Sequence, residues 1–264
     1  MGSIARPLAL ICALTLVALE ARAQEAEAPT QGETAQLEGE TVRFATEDGV
    51  ELEADLYAAA DPNAPVVILL HTHRQDRTTW AVLLPDLVGA GFNVLNLDLR
   101  GHGGSKRKGE ATIDADDVPV FLTTGLLVDS AKDLVSSLLF LRERGIQTDR
   151  MSLIGDTYGA MVAFLAAGVA PSHVRSLVLL SSPQAAWGIN VRALAQWYPG
   201  KIMAIADERD AIGASGTKLI VDLHPGNDVH LVYKDGGRGT ALLEAHPELR
   251  PRIVEFVKST LDAG

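Results

Sequence analysis

The segment best equipped for covalent chemistry is Gly155-Asp156-Thr157-Tyr158-Gly159. It follows the apolar run Met151-Ser152-Leu153-Ile154 and precedes the apolar, helix-favouring stretch Ala160 to Ala167, so it occupies a junction of strand, turn and helix. Glycines flanking such a turn let strand and helix approach closely, and the amides that open the helix face any negative charge developing beside them. A hydroxyl at the centre of the turn is a nucleophile candidate, and the chemistry it suits is acyl transfer. Here that hydroxyl belongs to Thr157. The G-x-x-x-G spacing alone carries little, because 24 glycines in 264 residues give about two chance matches. The flanking elements give it weight.

The elements able to position this turn alternate strand and helix. Thr41 to Thr46 and Val50 to Tyr57, joined through Asp48-Gly49, predict an antiparallel hairpin. After it come strands at Val66 to Leu70, Val94 to Leu99, Met151 to Ile154, Val174 to Leu180, Lys201 to Ala206 and Val229 to Lys234. Between and after them the apolar spacing predicts helices over Trp80 to Leu87, Leu126 to Arg144, Thr157 to Val169, Ser215 to Val221 and Leu242 to Leu261. Near-continuous apolar strands separated by helices imply an α/β fold with a mostly parallel sheet covered on both faces. Connections are short, leaving no room for a large lid domain, although Ser105 to Thr124 and Gln184 to Pro199 are long enough to shape a cleft. In a sheet of this kind the ligand crevice lies beyond the carboxyl ends of the strands. That singles out His71-Thr72-His73, Arg100 to Ser105, Asp156 to Tyr158, Ser181 to Pro183, Asp207 to Asp210 and Gly236 to Gly239.

Over Thr41 to Leu261 the chain resembles the α/β-hydrolase superfamily, most of all small lidless serine hydrolases of the esterase, lysophospholipase and dienelactone-hydrolase kind. The resemblance rests on Leu69-Leu70-His71 with Trp80 downstream, Asp98-Leu99-Arg100-Gly101-His102-Gly103-Gly104-Ser105, Gly155 to Gly159, Ile202 to Asp210, and Gly237 to Leu243. It implies a nucleophile at Thr157, where the family carries serine, and an acid at Asp210, with Asp207 the weaker candidate. It places the base at Arg238, where the family carries histidine between small residues. It also implies an oxyanion hole from the amides of Tyr158 and His73.

Two of the three triad positions are therefore chemically changed, and not equally. Threonine keeps the hydroxyl, but its β-branch restricts χ1, fits poorly in a strained turn and crowds the attack path. Arginine stays protonated and offers no acceptor, so it cannot take a proton from Thr157. No other histidine presents itself as the base. His71 and His73 sit on the oxyanion side, His102 lies in a glycine-rich turn, and His173, His224, His230 and His246 read as surface, capping or helix-packing residues. On this reading Thr157 lacks a base, and Arg238 is expected to pair with Asp210, or failing that with Asp207 or Asp156. No His, Asp or Glu spacing suggests a metal site, no nucleotide P-loop is present, and no cofactor is expected.

Residues 1–23 read as a signal peptide, with Arg6 as the positive end, an apolar stretch from Pro7 to Leu19 and the small-x-small site Ala21-Arg22-Ala23. Residues 24–40 are polar and apolar-poor, a flexible acidic linker ahead of a domain at 41–264. Cleavage before Gln24 removes Cys12, the only cysteine, and with it disulfides, thiol catalysis and thiolate metal sites; it suits a periplasmic or secreted location. The whole chain carries 23 basic and 34 acidic residues, a net charge of −11; the leader takes two arginines and one glutamate, leaving 21 against 33 and −12. A surface so acidic repels nucleic acid and anionic lipid. With no later apolar stretch near the roughly 20 residues of a membrane span, no retained anchor is expected. Three readings stay open: an impaired or inactive α/β-hydrolase that binds a small ligand or partner in its cleft, a low-rate carboxylic ester hydrolase, and a structural protein of the cell envelope.

Overall fold

The structure, a computed structural model, describes Leu37 and residues 39–118, 123–186 and 188–262. The expected leader and residues 24–36 of the linker lie outside the described residues. The chain runs β1 Glu40–Ala45, β2 Val50–Tyr57, β3 Val66–Leu70, a 3-10 turn Arg77–Trp80, α1 Leu84–Gly89, β4 Asn93–Leu97, and a two-residue ribbon of β5 Arg107–Lys108 and β6 Ala111–Thr112. It continues α2 Thr123–Glu143, β7 Met151–Asp156, α3 Tyr158–Val169, β8 Val174–Leu180, and a second ribbon of β9 Ala185–Ala186 and β10 Ile189–Asn190. Then follow α4 Val191–Trp197, β11 Lys201–Asp207, α5 Ala211–Leu223, β12 Val229–Tyr233, α6 Ala241–Ala245 and α7 Leu249–Leu261.

The main sheet has the order β12-β11-β8-β7-β3-β4-β2-β5-β6, with β1 on β2. From β12 to β4 every pairing is parallel, and β4 joins the leading hairpin antiparallel. β3 sits between β4 and β7, so chain order reverses around it, which is where open sheets of this kind place their ligand crevice. Alternation along the strands explains the unbroken apolar runs. Ile68 and Leu70 pack with α2, α3, α4 and α5 on one face, whereas Val67 and Leu69 pack with α1, α6 and α7 on the other. Each fully buried leucine or isoleucine of this kind contributes about 1.5–3 kcal/mol of transfer free energy.

The helix expected over Trp80 to Leu87 is instead a 3-10 turn followed by α1, which starts next to Pro85. The terminal helix expected from Leu242 is broken into α6 and α7 at His246, whose φ of −126° and ψ of 76° are those of a residue driven out of the helical region by the following Pro247. Helix α5 is longer than Ser215 to Val221, spanning Ala211–Leu223. The two ribbons and α4 carry too few residues to show a period, and they fall in the segments expected only to shape a cleft.

Candidate active site

β7 delivers the chain into a sharp turn. Thr157 has φ 49° and ψ −92°, a left-handed conformation that costs a β-branched residue about 1–3 kcal/mol. The turn is forced by contact with β3. A Cβ on Gly159 would lie 1.9 Å from the Leu70 carbonyl oxygen, so only glycine lets α3 start this close. The Thr157 amide donates to the Leu180 carbonyl at 2.9 Å, fixing the turn between β3 and β8.

The Thr157 hydroxyl donates to Asp156 Oδ1 at 2.8 Å. Asp156 is only 3% exposed, and its Oδ2 accepts the Thr240 amide at 3.2 Å. Burial pushes this carboxyl up to about 6, against the pull of the Thr157 hydroxyl, the Thr240 amide and the Arg238 charge. From the sequence, Thr157 has no proton acceptor and Asp156 is only a spare partner for Arg238. The structure corrects this: the hydroxyl faces a buried carboxylate on the adjacent residue. The signal was available as a lone acid between Gly155 and Thr157 in an otherwise uncharged stretch from Met151 to Ala167.

The residues expected at the acid and base positions come from two neighbouring loops. Asp210 precedes α5 and Arg238 follows β12; Arg238 Nε donates to Asp210 Oδ2 at 3.0 Å and Nη2 to Oδ1 at 2.6 Å. This two-point fork is the expected pairing with Asp210, and it fills the guanidinium edge that carries Nε. Asp210 is nearly covered and Arg238 half exposed. Burial works against ionisation of Asp210, but the Arg238 fork and the Gly213 amide outweigh it and hold the carboxyl below its usual value. Asp207 has a different task, since its carboxylate accepts the Arg209 and Gly237 amides, each at 2.8 Å, and so ties the two loops together. The Gly239 amide donates to Ser181 Oγ at 2.9 Å. Gly239 also has φ +63°, and a Cβ there would fall 2.1 Å from Asp156 Oδ1, so the loop that carries Arg238 rests directly on the Asp156 carboxylate. Beside the fork lies an open hollow of about 530 Å³ lined by Arg209, Asp210, Ile212 and Arg238. A hollow of similar size, about 510 Å³, lies at the amino ends of β8, β11 and β12, the end of the sheet remote from Thr157.

On the other side of the turn the structure brings the His73 and Tyr158 rings together, 5.4 Å apart between centroids. Tyr158 is the first residue of α3, where amides point out of the helix end. His102 donates from Nδ1 to the Arg100 carbonyl at 3.0 Å, which leaves its Nε2 to accept from His73 Nδ1 at 3.2 Å. His71 donates from Nδ1 to the Thr72 carbonyl at 2.7 Å and accepts the Leu99 amide on Nε2 at 3.0 Å. Burial lowers both His71 and His102 to about 4, so these rings are neutral, loop-fixing groups. The glycine-rich turn is pinned by Arg100, which donates from Nε to Asp133 Oδ1 at 2.8 Å and from Nη1 to Asp48 Oδ2 at 2.8 Å. Four more histidines have structural partners: His173 with Arg142, His224 with Asp228, His230 with Thr217, and His246 with the Asp235 carbonyl.

Comparison with known proteins fits this geometry. A family described as alpha/beta hydrolase fold matches residues 65–208, a stretch that contains the turn at Thr157 and stops short of Asp210 and Arg238. Epoxide hydrolase A of Mycobacterium tuberculosis (strain ATCC 25618 / H37Rv) is 31% identical over 145 residues, covering 54% of this chain and 39% of that protein. Epoxide hydrolase 3 of Siraitia grosvenorii is 29% identical over 126 residues, covering 48% of this chain and 35% of that protein. The matched region thus spans well under half the length of these curated relatives. Among solved structures, an esterase of Pyrococcus furiosus superposes with a TM-score of 0.67 at 21% identity, over 85% of this chain and 93% of that one. A thermophilic esterase of Thermogutta terrifontis does so with a TM-score of 0.64 at 17% identity, over 84% and 99%. With the family matched over more than half of its length and the strained turn, parallel sheet and switch point in place, this chain belongs to the α/β-hydrolase fold family.

Proposed function

We propose that the protein is an exported α/β-hydrolase of impaired turnover whose cleft binds a small acyl compound. The observation that carries this reading is the Arg238 fork on Asp210. In a working triad the acid holds an imidazole, which takes the nucleophile's proton and returns it to the leaving group; that base is worth about 10²–10⁴ in rate. Here the acid holds a group that can only donate. Thr157 stands at the nucleophile position, Asp210 at the acid position, and the amides of Tyr158 and His73 supply the oxyanion-binding side. The relatives' names, epoxide hydrolase and esterase, both describe hydrolysis of small molecules with an electrophilic carbon, which fits a cleft built for such a ligand. The half-exposed Arg238 and the adjoining hollow favour a carboxylate or ester over a cation.

The test is turnover of p-nitrophenyl butyrate alongside calorimetric titration with butyrate. Binding of butyrate that weakens in Arg238→Gln, with steady turnover far below that of an intact triad, is the expected result. Rapid steady turnover that disappears in Thr157→Ala would overturn the reading.

A further inference from the structure

We propose that Asp156 is the proton acceptor for Thr157, so that the two adjacent residues form a carboxylate and hydroxyl dyad able to take an acyl group from an activated ester. The inference rests on the reading above that the cleft admits esters and that the imidazole step is absent. It starts from geometry: the hydroxyl already donates to Asp156 Oδ1 at 2.8 Å, so the proton need not search for an acceptor. The carboxylate cannot swing away, because its Oδ2 holds the Thr240 amide and Gly239 packs against it.

The step balances with the groups present. As Thr157 Oγ1 bonds to the ester carbonyl carbon, its proton passes to Asp156 Oδ1 and the carbonyl oxygen becomes the oxyanion. Collapse breaks the ester C–O bond; an alkoxide leaving group takes the proton from the Asp156 carboxyl, whereas p-nitrophenolate departs unprotonated and the Asp156 carboxyl gives its proton to solvent, so that in both cases Asp156 is again a carboxylate before water attacks. Water attack on acyl-Thr157, with its proton passing to Asp156, then releases the acid, and Thr157 Oγ1 recovers its proton from Asp156. Deacylation is the slower half. Asp156 is buried under Thr157 and Thr240, and the threonine methyl group crowds the approach of water.

Burial raises Asp156 to about 6, a more basic carboxylate than an exposed one and still ionised at neutral pH. The charged groups facing it are Arg238, from the loop after β12, which favours the ionised form, and Asp210, from the loop before α5, which disfavours it. No other charge lies on its own strand.

The experiment is stopped-flow reaction of the full chain with p-nitrophenyl acetate, followed by peptide mass mapping. A burst of about one p-nitrophenolate per chain and an acetyl group on the peptide containing Thr157 are expected, as for an accumulating acyl-enzyme. The burst rate should rise through a single ionisation near pH 6 whose midpoint barely moves on warming, as for a carboxyl; an imidazole midpoint falls on warming. Thr157→Val should abolish the burst. Asp156→Asn, which keeps an acceptor for the Thr240 amide, should slow it about 10²-fold. An unchanged burst in Asp156→Asn, acetylation elsewhere, or a midpoint that falls on warming would overturn the dyad. Should Asp156→Asn fail to fold, the wild-type pH and temperature profile decides. Butyrate binding without any burst sinks the dyad alone, whereas fast steady turnover independent of Asp156 sinks the impaired-turnover reading itself.

Discussion

Replacing Thr157 by serine and Arg238 by histidine together should rebuild a conventional proton relay. The Asp210 carboxylate is already placed, nearly covered and held ionised, and it now receives two donors from Arg238 at 3.0 and 2.6 Å. An imidazole on the same loop would give Asp210 one N–H and turn its other nitrogen toward the residue 157 hydroxyl. Serine matters because the hydroxyl must leave Asp156 Oδ1, and without the β-methyl group it can rotate within the left-handed turn. A positioned base is worth about 10²–10⁴ in rate, or about 3–5 kcal/mol of barrier. The double variant should therefore hydrolyse p-nitrophenyl butyrate about 10²-fold or more faster than the wild type, with Arg238→His and Thr157→Ser each recovering only a small part. The assay is initial rate against pH, and a rise through a midpoint near that of an imidazole should accompany the gain. Equal activity in Arg238→His and the double variant would refute the argument about the threonine methyl group. No gain in the double variant, with both loops intact, would refute the claim that the histidine position is what disables turnover.

Arg100 is buried between Asp133 and Asp48, so Arg100→Ala leaves a buried carboxylate uncompensated; urea denaturation should show a loss of about 3–5 kcal/mol. Stability should also respond to pH with opposing signs. His71 and His102, lowered to about 4 from 6.5, bind fewer protons folded than unfolded, so their contribution is present above pH 6.5 and is lost as pH falls toward 4. Asp156, raised from 3.8 to about 6, binds more protons folded, so it favours the fold as pH falls through the same window. Asp156→Asn removes that second slope. Between pH 7 and pH 4 the variant should lose stability relative to the wild type, by up to about 3 kcal/mol at about 1.4 kcal/mol per unit, in denaturant midpoints taken at both pH values. On the proposed export, the mature chain should begin at Gln24 and lack Cys12, which N-terminal mass mapping of secreted or periplasmic material checks.

Several features were legible because they depend on local order along the chain. Apolar period and length marked the strands at Val66, Met151, Val174, Lys201 and Val229, and the glycines at 155 and 159 marked a turn that no bulkier pair could make. Side-chain chemistry alone told that Arg238 cannot act as a base, and the resemblance to the α/β-hydrolases placed it against Asp210, where the structure finds it. Other features were set only by tertiary contact. The short ribbons depend on pairings too brief to leave a period. Between Asp207 and Asp210, the loops chose: the Gly237 amide took the first and the Arg238 fork the second. The decisive case is Asp156. Sequence shows an acid beside a hydroxyl, but adjacent residues in a strand point to opposite faces, which argues against their meeting. Only the left-handed turn at Thr157, imposed by close packing of α3 on β3, brings the hydroxyl back onto that carboxylate, and only the loop at Gly239 and Thr240 buries it enough to raise its basicity.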